Sequence, residues 1–135
     1  MSEKITATYA KIRKIVESEK IGIPQVCVIS VNTVLTGEEF ERKRQQELLL
    51  MSDVFKSNVD KERVCSLNKP YVYGFVAREY KNGSIGRYTY TSAPIAENTQ
   101  ITVYGTDGEL RFNSETAKIV IYPQVPDHVG EEYKE

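Results

Sequence analysis

The chain has 135 residues, 40% of them hydrophobic and 27% charged, with a formal net charge of −1. That suits one soluble domain with a real core, and the near-zero charge excludes bulk attraction to nucleic acid or acidic membrane. No apolar run is long enough for a secretory leader or a bilayer span, and the two cysteines lack metal spacing, so a cytoplasmic protein with reduced thiols is expected.

In chain order, residues 3–20 come first. Ile5, Tyr9, Ile12 and Val16 lie 4, 3 and 4 apart, which predicts one apolar face of an amphipathic helix. Gly22 and Pro24 then stop it. Residues 25–35 are rich in β-branched side chains and apolar on alternate sides. Val26, Val28 and Val34 form one face and Cys27, Ile29, Val31 and Leu35 the other, so a central strand covered on both sides is expected. Cys27 there reads as a small buried hydrophobe.

A second helix is expected from Thr36 to about residue 56 or 57. Thr36 and Glu39 have capping-box spacing, and Glu38, Glu39 and Glu41 sit at the positive end of the helix dipole. Glu38 with Arg42 and Glu39 with Lys43 are acid-before-base pairs, which makes residues 41–44 a solvated, self-neutralised face. Further on, Leu48, Met51 and Phe55 form a stripe that Leu49 and Leu50 widen. The surplus fits either deep burial in a monomer or a homo-oligomer made through Leu49 and Leu50.

Residues 56–70 read as a polar connector, and the chain is expected to be all-β from Pro70. A hairpin over residues 71–91 is followed by strands near 99–105, 110–112 and 117–123. Asn82-Gly83 and Asp107-Gly108 each supply the pair that a two-residue hairpin turn uses. The fold class is therefore α+β: two helices on one face of a mainly antiparallel sheet, in the order helix, strand, helix, hairpin, strands. A single domain covers residues 1–122, and residues 123–135 form a flexible or extended tail.

The hairpin carries the functional expectation. With Asn82-Gly83 as a two-residue turn, Arg78 faces Arg87, Ala77 faces Tyr88 and Phe75 faces Tyr90. Tyr71, Tyr73, Phe75, Ala77, Tyr88 and Tyr90 then share one face, and Arg78 and Arg87 lie on the other with Val72, Val76, Tyr80 and Ile85. The rings could be core, but buried tyrosine hydroxyls want partners. Facing arginines repel unless solvated, internally paired or bridged by an anion, and two converging guanidiniums suit a phosphate.

The only histidine, His128, falls in the tail, and no phosphate-cradling glycine motif occurs. A non-catalytic protein without metal or cofactor is therefore expected. It would bind a nucleotide-like or other phosphate-bearing ligand through Arg78, Arg87, Tyr71, Tyr73, Tyr88 and Tyr90, as a phage or mobile-element accessory protein that sequesters a signal does. The alternative is a protein-binding inhibitor or homo-oligomeric assembly module that uses the tyrosine-rich face.

Overall fold

Apolar residues on both sides of residues 25–35 place that segment in the middle of the structure. The computed structural model describes residues 3–68, 72–92, 96–123 and 130–134. Helix α1 (Glu3–Glu17) leads to strand β1 (Pro24–Asn32), helix α2 (Gly37–Phe55) and strand β2 (Val59–Leu67). Then follow β3 (Tyr73–Tyr80), β4 (Ile85–Thr91), β5 (Asn98–Gly105), β6 (Gly108–Asn113), β7 (Lys118–Pro123) and β8 (Glu131–Glu132). They form one eight-stranded sheet in the order β2-β3-β4-β1-β5-β6-β7-β8. The α+β class and single domain hold.

Two parts of the expected sheet are corrected. β1 pairs parallel with β4 and antiparallel with β5, so the sheet is mixed. Residues 56–70 are not a connector, because β2 occupies most of them and pairs with β3. The reason is positional. β2 is an edge strand, and its Lys61, Glu62 and Arg63 guard an unpaired edge against association instead of marking a loop.

One face of the sheet carries the core in successive rungs. Gly86, Cys27, Val103 and Leu110 make one, and Tyr88, Ile29, Ile101 and Phe112 the next. From α1, Tyr9, Ile12, Ile15 and Val16 join this core, and from α2 come Phe40, Leu50, Met51, Val54 and Phe55. Leu50 is completely buried, so it offers no surface to a second copy, whereas Leu49 is 57% exposed. Leu50 and Met51 of α2 thus belong to the core, and Leu49 does not. Burial pushes the Cys27 thiol up to about 12, as suits an inert core group.

Gly86 lets α2 come close, because a Cβ there would overlap the Met51 sulfur. Gly86→Val is expected to cost roughly 1–3 kcal/mol through overpacking. It should appear as a lower urea midpoint with an unchanged slope.

The corner between β5 and β6 is made by Thr106 and Asp107, not by the expected Asp107-Gly108 pair. Their N–H groups donate to the carbonyls of Ile23 (3.0 Å) and Ile21 (2.9 Å), tying the corner to the α1–β1 loop. Of the expected tail, residues 124–129, and with them His128, lie outside the described residues. Glu131–Glu132 pairs with β7, and the Tyr133 N–H donates to the Ile119 carbonyl at 2.6 Å.

Candidate functional site

The hairpin between β3 and β4 decides where every candidate residue points. Its loop is Lys81, Asn82 and Gly83: the Gly83 N–H donates to the Tyr80 carbonyl (2.9 Å) and the Tyr80 N–H to the Ser84 carbonyl (2.8 Å). Gly83 has φ of 90°, the left-handed residue that follows a type I turn in a three-residue hairpin loop. One extra loop residue shifts the register by one. Ala77, not Arg78, therefore faces Arg87, and Arg78 faces Gly86.

The expected guanidinium fork does not form. Arg78 lies on the helix face, where its Nε donates to Glu62 Oε2 at 2.7 Å. It also reaches the Leu48 carbonyl (3.4 Å) and the Tyr80 hydroxyl (3.3 Å), pinning the sheet edge to α2. Arg87 lies on the opposite face, above the Phe75 ring at 5.9 Å. The tyrosines divide as well. Tyr73 is on the open face with Arg87, Tyr88 and Tyr90 are buried under the helices, and Tyr71 lies outside the described residues.

Tyr88 reaches a group that the sequence reading passed over. Glu47 of α2 is completely buried, and its carboxylate accepts from the Tyr88 hydroxyl (2.8 Å), the Tyr9 hydroxyl (2.7 Å) and Lys43 Nζ (2.9 Å). Lys43 Nζ also donates to Thr99 Oγ1 of β5 at 3.1 Å. Burial first, and the Glu47 charge second, hold both tyrosines far above the ordinary phenol range, so they stay protonated and donate. Lys43 pairs with Glu47 and not with the expected Glu39, whereas Glu38 and Arg42 do meet, at 3.8 Å. The signal was present: Glu47 lies seven residues after Phe40 and four before Met51, on the helix's apolar stripe.

Above this cluster lies a cleft at the carboxyl ends of β1 and β4, the parallel pair, beside the start of α2. Its volume is about 70 Å³, and Phe40 and Tyr90, with rings 5.0 Å apart, supply its aromatic wall. Thr33, Thr36, Thr91 and Ser92 also line it, but the lining is mostly apolar, and the Thr33 and Ser92 hydroxyls accept from the N–H groups of Leu35 and Val72 (both 3.1 Å). Glu97 shapes one side by accepting from Thr33 Oγ1 (3.0 Å) and the Val34 N–H (3.1 Å). Thr36 takes the N-cap position in an extended conformation, but its side chain makes no capping hydrogen bond, so the expected capping box is not closed. In open parallel α/β sheets, the carboxyl ends of strands beside a helix start commonly bind ligands.

Among the described residues no three histidine, cysteine or acidic side chains gather as a metal site. Nor is any described helix long and apolar enough to cross a membrane.

No protein-family model matches the sequence, and no curated protein is detectably similar to it. Solved structures do match by fold. The super-repressor mutant of Gal80p from Saccharomyces cerevisiae superposes with a TM-score of 0.77 at 9% identity, over 95% of this chain and 43% of that one. UDP-N-acetylglucosamine 3-dehydrogenase GnnA from Acidithiobacillus ferrooxidans gives 0.75 at 8% identity, over 94% and 46%. An inositol dehydrogenase homologue from Azotobacter vinelandii, complexed with NADH and myo-inositol, gives 0.68 at 14%, over 96% and 39%. At such identities the likeness is one of fold. It overturns the expectation of a non-catalytic phosphate-ligand binder or inhibitor, and the reading that the chain is no enzyme, because the fold is one that dehydrogenases carry. The chain spans less than half the length of the proteins it resembles.

Proposed function

We propose that this chain is the substrate-side part of an oxidoreductase acting on a polyhydroxylated compound, such as a sugar or a cyclic polyol, together with a separate dinucleotide-binding unit. The carrying observation is the extent of the likeness: nearly all of this chain overlies less than half of a dehydrogenase, and that portion has no dinucleotide cradle here. The residues present do not fit such a cofactor. The strand-to-helix junction of residues 32–40 has one glycine, and the first turn of α2 carries Glu38 and Glu39, which repel a pyrophosphate. The nucleotide therefore belongs to the other unit, whether on the same polypeptide or on another.

The cleft fits the apolar side of a polyol: the rings of Phe40 and Tyr90 cover a C–H face of the substrate's ring, while its hydroxyls stay toward the open side. At about 70 Å³ it seats one edge of a sugar-sized ring, because complete ligand pockets run to about 300 Å³ and more. The second unit completes the enclosure and brings the redox group to the exposed side.

Calorimetric titration of the chain with myo-inositol and, separately, with NADH tests the reading. Millimolar binding of the polyol, reduced at least tenfold by Phe40→Ala, is expected, with no NADH heat. Micromolar NADH binding by this chain alone would overturn the division of labour, and polyol binding that ignores Phe40→Ala would overturn the site.

A further inference from the structure

The cleft beside Phe40 changes character with depth. Its inner end is made by side chains that are almost fully buried: Thr33 at 2% exposure, Tyr90 at 5% and Phe40 at 9%. Their polar atoms are engaged by the protein. The Tyr90 hydroxyl donates to Ser66 Oγ at 2.9 Å. The Thr33 hydroxyl donates to Glu97 Oε1 (3.0 Å) while accepting from the Leu35 N–H (3.1 Å). The Ser92 hydroxyl accepts from the Val72 N–H. What remains for a ligand at this end is largely hydrocarbon: the two rings, the Leu35 side chain and the Thr33 methyl. Thr36, Gly37 and Val72 are exposed and form the mouth.

We propose that the inner end receives a methyl group of the substrate, which makes the compound a methyl-bearing sugar, either a 6-deoxy sugar or an N-acetyl sugar. This deepens the polyol reading and rests on it. Size supports the assignment. The cleft's volume of about 70 Å³ is roughly twice the ~30 Å³ share of a water-sized group, so a methyl and the carbon that carries it fill it. Polarity supports it as well. A hydroxyl driven to the inner end would give up its water and meet groups whose hydrogen bonds are already made. A methyl loses nothing there and gains contact with both rings. The Thr36 hydroxyl, exposed at the mouth and making no capping bond, is left for the sugar's own hydroxyls.

Calorimetric titration of the chain with two matched pairs of sugars tests the proposal. D-fucose and D-galactose differ only in a methyl against a hydroxymethyl group at C6. N-acetyl-D-glucosamine and D-glucose differ only in an acetamido group against a hydroxyl at C2. The methyl-bearing member of at least one pair is expected to bind at least tenfold more tightly, the scale on which an apolar pocket discriminates by one small group. The pair that shows the preference tells the deoxy sugar from the N-acetyl sugar. Leu35→Ser, which sets a hydroxyl beside the inner end, should cut that preference to about threefold or less with an unchanged circular dichroism spectrum. Thr33→Ser keeps the hydroxyl that Glu97 and Leu35 hold, removes one methyl from the lining, and should lower the preference with the fold intact. Equal affinities within both pairs would overturn the methyl assignment and leave the polyol reading standing, as would a preference unaltered in both variants. No binding of any of the four sugars would overturn both.

Discussion

Glu47→Ala is expected to lower the unfolding free energy by about 3–5 kcal/mol, because it leaves a buried ammonium without its counter-charge. The Tyr9 and Tyr88 hydroxyls would lose their shared acceptor, each at about 1–3 kcal/mol if nothing replaces it. Urea unfolding followed by circular dichroism reads the loss directly. The same cluster predicts an alkaline limit. Both phenols are held above their usual value of 10.0, by burial first and by the Glu47 charge next. A folded pKa above the unfolded one means that this contribution is complete below pH 10 and is lost as pH rises beyond it, by about 1.4 kcal/mol per pH unit for each tyrosine. Tyr88→Phe should remove about half of that slope while costing stability at neutral pH.

Leu50→Ala is expected to cost about 2–5 kcal/mol, the range for emptying a fully buried leucine site. Leu49→Ala should stay within about 0.5 kcal/mol, as exposed substitutions do. The two residues are adjacent in sequence, and the contrast arises because α2 turns by about 100° between them. Equal costs for the two variants would mean that α2 is rotated from the position described. Chemical denaturation of both variants under one set of conditions provides the check.

The apolar alternation of β1 and the 3- and 4-residue spacing on α1 were readable because each pattern is local and strong. The beginning of α2 at Thr36 and Gly37 was readable too, although its cap makes no side-chain bond. β2 was not, because an edge strand protected by Lys61, Glu62 and Arg63 has the composition of a loop. The hairpin register failed for a narrower reason. Asn-Gly serves a two-residue turn, but the same glycine also serves as the left-handed third residue of a three-residue loop, and the local sequence fits both. That single residue put Tyr88 and Tyr90 on the same face as Arg78, and Arg87 on the face of Tyr73 and Phe75. The cleft was beyond local reading, since it exists only where β1 and β4, whose paired residues Cys27 and Gly86 lie 59 positions apart in the chain, are brought side by side by the parallel pairing.

The central claim is that the three-residue loop at Lys81, Asn82 and Gly83 sends Tyr88 to Glu47 and separates Arg78 from Arg87. Cross-strand amide and Hα contacts measured by solution NMR test it most directly. The account predicts contacts pairing Val76 with Tyr88 and Ala77 with Arg87. Contacts pairing Ala77 with Tyr88 and Arg78 with Arg87 would contradict it.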